Sequence, residues 1–448
     1  MRIVILGNGV AGITAARHIR KGSDHEIIVV SAESDFFFSR TALMYVYMGH
    51  MRPQDIKPYE NWFWDKNRIR RVNGLVTNID YAAKTLFFND DTTLSYDKLI
   101  LATGSKPIKA GWPGQDLDGV HGLYSLQDLE AMERHSTDLK RAVIAGGGLI
   151  GIEMAEMFCS RDIPVTFLVR ESSYWNNVLP PEESAMVTRH IIEHGVDLRL
   201  GAELKEIWGD RTGKLKLIVT SKGEKIECGY VGLTIGVRPN IDFLHFTPIE
   251  YDKGILVNDY LETSVPDVWA AGDCAQLRTP QPGRRPTEAL WYTARAMGKA
   301  VAQNVLASMP SPFTLHPSPY HPSIWFNSAK FFDIEYQVYG DIRPALPDDQ
   351  ATLYWEHPKG KKSIRINYDK MHGHALGFNL MGIRYRQEVC EKWIREKAHI
   401  EEVLQQLRLA NFDPEFSREY EGQLLALYNQ QNGTNLSLRA KRGLTKLF

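Results

Sequence analysis

The sequence predicts an α/β protein: two Rossmann-like dinucleotide-binding domains followed by an α+β C-terminal domain. Three observations carry that expectation. A short apolar strand at the start runs straight into a glycine turn and a helical run. The same unit recurs from Arg141. After Pro310 the composition turns rich in proline, histidine and aromatic residues, and a mixed strand and helix pattern follows.

The first unit begins with the strand Arg2 to Leu6, followed by Gly7-Asn8-Gly9-Val10-Ala11-Gly12 and the helical run Ile13 to Ile19. Each glycine has its own task. Gly7 permits the tight turn, Gly9 lets a pyrophosphate approach the backbone, and Gly12 lets helix and strand pack closely, while the helix N-terminus faces the phosphate charge. The next strand, Glu26 to Val30, leads to Glu33, at about the distance where an acidic residue meets the adenosine ribose hydroxyls; otherwise Glu33 is a surface carboxylate. The second unit repeats the order. Strand 141–145 leads into Gly146-Gly147-Gly148-Leu149-Ile150-Gly151 and a helix over Ile152 to Cys159. Two dinucleotides are therefore implied. The following strand, Val165 to Val169, ends in Arg170-Glu171. Arg170 suits a 2′-phosphate and Glu171 a free 2′-hydroxyl, so NADPH and NADH both remain open, as does a solvated loop role for Arg170.

Composition bounds the function classes. With a formal charge of -1 over 448 residues, no global field favours nucleic acid. No window holds roughly 18 uncharged apolar residues, so a membrane span is not expected, and the direct start in a strand makes the cytoplasm the default location. The tail Arg439 to Phe448 mixes basic and apolar residues and suits either peripheral contact with anionic lipid or plain solvation. Cys159, Cys228, Cys274 and Cys390 are too dispersed for a CxxC motif, and neither a metal site nor a local redox disulfide is expected. Cys159 is expected to pack under the second helix, and Cys274 to open a buried helix. Trp62-Phe63-Trp64 reads as a packed helix rather than an electron relay, and His321, His372 and His374 as loop and hairpin residues.

Further segments carry a resemblance. Tyr96-Asp97-Lys98-Leu99-Ile100-Leu101-Ala102-Thr103-Gly104-Ser105-Lys106-Pro107, Thr234-Ile235-Gly236-Val237-Arg238-Pro239-Asn240 and Val268-Trp269-Ala270-Ala271-Gly272-Asp273 follow one another in the order seen in the pyridine nucleotide-disulfide oxidoreductase superfamily. Over residues 1 to about 310 the chain resembles that superfamily, nearest to its rubredoxin reductase, ferredoxin reductase and nitrite reductase flavin-domain branch. The resemblance implies FAD bound by residues 1–112 and 242–310, an inserted NAD(P) domain over 113–241, and an interface-type C-terminal domain over 311–448. It implies crossings between the domains at Ala102-Thr103-Gly104 and at Gly236, and Gly272 and Asp273 on the ribityl chain of the flavin. In the C-terminal part, Ser363 to Tyr368 and Ala375 to Leu380 read as strands, and Glu388 to Glu396 and Ile400 to Leu409 as helices; nothing is assigned beyond about Asn411.

The resemblance also frames the active site. In the thiol-using branches a catalytic cysteine opens the helix after the turn Phe38-Ser39-Arg40-Thr41-Ala42-Leu43-Met44-Tyr45, and here Thr41 holds that place. A threonine cannot cycle through a disulfide or a sulfenic acid. Arg40 matches an arginine for the FAD phosphates. Tyr45 stands where relatives often carry a lysine beside the flavin, which alters the local electrostatics. Glu153 matches a glutamate near the nicotinamide, or is a charge at a helix start. Trp291 falls where a helix N-terminus faces the flavin pyrimidine, and would shield the ring or pack in the core. The implied activity is an FAD-dependent oxidoreductase taking hydride from NADH or NADPH and passing electrons to a small redox protein. Electron delivery to a membrane quinone, and a redox-sensing interaction protein resembling apoptosis-inducing factor, are the alternatives, and a homodimer is compatible with either family role.

Overall fold

A computed structural model describes residues 1–310, 315–413 and 415–439. The tail beyond Arg439, where lipid contact was in question, lies outside the described residues, as do positions 311–314 of the proline-rich linker. The chain divides into two compact units, one of Met1–Leu139 with Gly232–Pro322 and one of Lys140–Val231 with Ser323–Phe448. No helix among the described residues is long and apolar enough to cross a membrane.

In the first unit the run Arg2–Leu6 forms the central strand of a five-stranded sheet, because a stretch of Ile and Val buried on both faces suits a parallel strand covered by helices. The strand order is Val268–Ala270, Lys98–Leu101, Arg2–Leu6, Glu26–Ser31, Ile69–Asn73, all parallel. Ile3, Val4 and Ile5 are fully buried. Helix Val10–Gly22 follows the glycine turn and ends in Arg20 and Lys21, which suit the negative end of its dipole. Helix Trp291–Ala307 packs against it so closely that a Cβ on Gly298 would stand 2.5 Å from the Ala11 carbonyl oxygen. The two crossing segments pair with each other: Ser105–Pro107 runs antiparallel to Val237–Pro239.

In the second unit strands Asp197–Leu200, Val165–Val169 and Ala142–Ala145 run parallel in that order, and Tyr230–Leu233 adjoins Ala142–Ala145. Its C-terminal portion is a five-stranded antiparallel sheet in the order Phe326–Phe331, Ile334–Gly340, Ala375–Met381, Ser363–Asp369, Gln350–Glu356. Two of these are the expected strands, each one residue longer; the other three were not foreseen. Helices Gln387–Arg395 and Ile400–Gln406 bury Cys390, Trp393, Val403 and Leu404 in this sheet's core, and an unforeseen helix, Glu421–Asn432, adds Leu424, Leu425 and Tyr428.

A buried charge cluster ties helix Pro181–Glu193 to this sheet. Arg365 donates to Glu183 through Nε (2.7 Å) and Nη2 (2.9 Å), and to Glu182 at 2.6 Å, while Asn379 donates to Glu183 at 3.1 Å. Glu183 is wholly buried and Arg365 nearly so.

One expected element is absent. Cys274 does not open a helix; it precedes the strand Ala275–Leu277, which pairs in parallel with Ile255–Val257. Gly272, at φ +81°, turns the chain out of the preceding strand, and ladder hydrogen bonds then satisfy the backbone in place of a helix. Cys274 remains a buried thiol, its Sγ 3.4 Å from the Leu101 carbonyl oxygen. Trp62-Phe63-Trp64 does form a short helix, Asn61–Lys66, with Trp64 buried and Trp62 exposed.

Candidate functional site

Each unit carries one glycine turn leading into a helix. In the first, Gly7 adopts φ +119°, and a Cβ there would lie 2.0 Å from the Ala102 carbonyl oxygen; a Cβ on Gly12 would lie 2.0 Å from the Gly7 carbonyl oxygen. Both glycines are fixed by the fold itself. Gly9 differs, since a Cβ there would meet nothing within 4 Å. As the N-cap of helix Val10–Gly22 it supplies no side-chain cap, so the N–H groups of Val10, Ala11 and Gly12 open the helix toward that free space. An open cradle lined by helix-start donors fits a pyrophosphate. Asn8 anchors the turn by donating to the carbonyls of Ser34 (2.9 Å) and Phe36 (3.0 Å).

Glu33 and Arg40 come together in the same unit, which the sequence did not foretell. Arg40 donates to both carboxylate oxygens, at 3.0 and 2.6 Å, and also to the Tyr124 carbonyl. Its guanidinium lies 4.3 Å from the Tyr124 ring centroid and 5.0 Å from that of Phe38. Glu33 also accepts from the Leu126 N–H at 3.1 Å. Tyr124 escaped sequence reasoning, although a signal stands beside it: Ser125 and Asp128 form the capping box that starts helix Leu126–Ser136 and so place Tyr124.

Asp273 lies just past the strand Val268–Ala270 and accepts from the Ser105 hydroxyl at 3.1 Å; the Ser105 N–H in turn donates to the Tyr124 hydroxyl at 3.0 Å. Burial pushes the Asp273 carboxyl above its ordinary pKa, while Ser105 and the nearby Arg40 charge pull it back. Ser105 is a second residue that sequence reasoning quoted without giving it a role. At the crossings, Gly104 and Gly236 take φ of +69° and +115°, and Thr103 donates to the Asn240 carbonyl at 2.8 Å.

Thr41 lies in the 3-10 turn Arg40–Ala42 and is exposed, its hydroxyl 3.3 Å from that of Ser39. Tyr45 is half-buried in helix Leu43–Tyr47 and stacks with His50. Trp291 is the first residue of its helix, which also lacks a side-chain cap, and the residue is 40% exposed, so it is not packed in the core. All four cysteines are free thiols. Burial pushes Cys159 up to about 11 and Cys228 up to about 12, and raises Cys274 and Cys390 as well, so none is held as a thiolate.

In the second unit Gly146 takes φ +120° and Gly148 caps helix Leu149–Cys159, again without a side-chain cap; Leu149 and Ile150 form its first turn and Gly151 is buried. A Cβ on Gly147 would crowd Val169 at 2.9 Å. The buried Tyr174 donates to the Gly148 carbonyl at 3.1 Å and stiffens the turn. Glu153 sits one turn into the helix, where burial, reinforced by Glu156, pushes its carboxyl up to about 7. Glu156 is paired with Lys330 at 2.6 Å. Arg170, largely exposed, contacts the less exposed Glu171 at 3.1 Å.

The profile of the pyridine nucleotide-disulphide oxidoreductases matches residues 1–298. The chain is 30% identical over 379 residues to a nitrite reductase [NAD(P)H] of Bacillus subtilis (strain 168), covering 84% of this chain and 45% of that protein, so it spans less than half of that relative's length. It is 28% identical over 328 residues to a rubredoxin-NAD(+) reductase of Ectopseudomonas oleovorans, covering 72% of this chain and 83% of that one. Among solved structures, a ferredoxin reductase of Rhodopseudomonas palustris superposes with a TM-score of 0.75 at 22% identity, covering 85% of this chain and 91% of the other, which speaks to the fold.

Proposed function

The chain belongs to the pyridine nucleotide-disulphide oxidoreductase family, and on that premise we propose that it is an FAD-dependent NAD(P)H oxidoreductase that feeds a small redox protein without a redox disulfide of its own. The reading rests on the two uncapped glycine-turn helices, one in each unit, combined with Thr41 in place of a thiol. When bound, FAD accepts two electrons as hydride and releases them singly. The residues of this chain bind, orient and set the charge around that exchange.

In the first unit Gly9 and the N–H groups of Val10, Ala11 and Gly12 hold the FAD pyrophosphate, and Arg40 adds positive charge beside it. Glu33 offers its remaining lone pairs to the adenosine ribose, and its pairing with Arg40 keeps both side chains oriented. Asp273, positioned by Ser105, accepts from the ribityl chain. Ala102 to Gly104 and Gly236 carry the backbone past the flavin, Tyr45 occupies its surroundings, and the helix beginning at Trp291 directs its positive end at the ring. In the second unit Gly146 to Gly151 hold the nicotinamide dinucleotide, Glu153 lies toward the nicotinamide, and Arg170 and Glu171 select between NADPH and NADH.

The rubredoxin-NAD(+) reductase among the relatives supports a small redox protein as the acceptor. Four free thiols are what a reducing compartment maintains, and the cytoplasm is the location this reading favours. The test is anaerobic titration of the flavin-loaded protein with NADH and NADPH, followed by a screen of rubredoxins, ferredoxins and quinones. Bleaching of the flavin by a nicotinamide and turnover with a protein carrier is the expected result. Preference for a quinone, or reduction with no acceptor turnover at all, would reject the carrier assignment.

A further inference from the structure

The second unit brings together three groups whose residue types suit a transition metal and which the sequence left unconnected. His190 and His194 sit four residues apart at the end of helix Pro181–Glu193, so they share one face. Asp333 lies in the tight turn between strands Phe326–Phe331 and Ile334–Gly340. Their ligand atoms all lie within 4.8 Å of one another.

The hydrogen bonding around the pair of imidazoles decides which nitrogens face the cluster. His194 Nδ1 is 2.9 Å from the His190 carbonyl oxygen, to which it donates as N–H, leaving Nε2 with its lone pair directed at Asp333 Oδ1, 3.6 Å away. Phe332 stacks on the His194 ring at 4.3 Å and holds its plane. His190 is 1% exposed. Its Nε2 lies beside Asp333 Oδ1, and its Nδ1 is 3.7 Å from Glu193 Oε2. Lys361 takes the far oxygen of Asp333 at 3.1 Å and leaves Oδ1 to the histidines.

We propose that His190 Nε2, His194 Nε2 and Asp333 Oδ1 form a zinc site, with water in the fourth position on the exposed side of Asp333. Two bonds of 2.0–2.1 Å at a tetrahedral angle place ligand atoms roughly 3.3–3.5 Å apart, close to the separation between His194 and Asp333, while His190 and Asp333, in direct contact with each other, move apart to admit the metal. The backbone carbonyl behind His194 and the carboxylate of Glu193 behind His190 are the outer partners that zinc-bound imidazoles use. Two imidazoles and one carboxylate select zinc or its transition-metal neighbours over magnesium or calcium, which require oxygen ligands. The metal clamps the end of the helix to the hairpin of the C-terminal sheet and stabilises the second unit.

The experiment is calorimetric titration of chelator-treated full-length protein with zinc chloride, alongside thermal unfolding with and without zinc. One equivalent binds, and the unfolding temperature rises. His194→Ala and Asp333→Ala, both at positions open to solvent, each weaken binding tenfold or more and abolish the thermal shift, while His135→Ala, at the separate group of Asp118, His121 and His135, changes neither. Loss of less than tenfold in either variant, effective competition by magnesium, or no zinc binding at all overturns the assignment.

Discussion

Substituting Gly9 by valine separates binding of the cofactor from folding of the cradle. Gly9 has φ -74° and ψ -172°, an extended conformation open to any residue, and a Cβ there meets nothing within 4 Å. The folded protein should therefore tolerate valine, with a change in stability within about 1 kcal/mol in either direction. The space that the side chain fills is the one assigned to the pyrophosphate. Losing two charge-assisted hydrogen bonds at about 1.5–3 kcal/mol each removes ~3 kcal/mol or more, a weakening of FAD binding by a hundredfold or greater. Gly7→Ala is the contrasting control. Its Cβ would stand 2.0 Å from the Ala102 carbonyl oxygen at φ +119°, so this variant should lose folding itself. Flavin-depleted protein is titrated with FAD by fluorescence quenching, and denaturation of the same preparations is followed by circular dichroism. A well-folded Gly9→Val protein that binds FAD within threefold of wild type would refute the placement of the pyrophosphate.

Four further outcomes are expected. Arg170→Ala should weaken NADPH by roughly ten- to a hundredfold if the guanidinium meets a 2′-phosphate, through loss of about 1.5–3 kcal/mol; an unchanged NADPH-to-NADH ratio rejects that role. Glu153 has a folded-state pKa raised to about 7 from an ordinary 4.5, so its protonated form is favoured by folding, and stability should decline as pH rises from 4.5 through 7. Glu153→Gln should flatten that part of the melting profile, and superimposable profiles for the two proteins would show that burial does not hold the carboxyl this way. Arg365→Met strips the partner from the fully buried Glu183 and should cost about 3–5 kcal/mol, most of it recovered when Glu183→Leu is added; a double variant as unstable as the single would contradict the pairing. Replacing all four cysteines by serine or alanine should leave NAD(P)H-driven reduction of an artificial one-electron acceptor within tenfold of wild type, and a hundredfold loss in a folded, flavin-loaded protein would return a thiol to the reaction.

The glycine turns, the parallel strands beside them and their repetition were legible because each is local: consecutive apolar residues, then glycines at fixed spacing, then a helical period. Strands 2–6 and 165–169 matched residue for residue for that reason. Where backbone pairing with a distant segment decided the outcome, sequence reasoning failed. Cys274 enters a strand because Ile255–Val257 lies alongside to bond it. Strands Phe326–Phe331 and Ile334–Gly340 alternate apolar and polar residues imperfectly and are made strands by their neighbours in the sheet. Helix Glu421–Asn432 carries its apolar residues as one continuous run, Leu424-Leu425-Ala426-Leu427-Tyr428, between polar ends, so no helical period announces it.

The sites divide in the same way. Residue type and spacing by themselves pointed to where phosphates would be cradled, because a glycine turn before a helix N-terminus is a property of adjacent residues, whereas Thr41 in the place of a thiol came from the family resemblance. Tertiary structure alone decided that Arg40 reaches Glu33 and Tyr124, that Ser105 supports Asp273, and that Asp333 meets two histidines of a distant helix. Those encounters depend on which chain segments pack together, and the packing is set by burial of apolar surface, which is non-directional and leaves no local mark in the sequence to say which polar groups it will bring face to face.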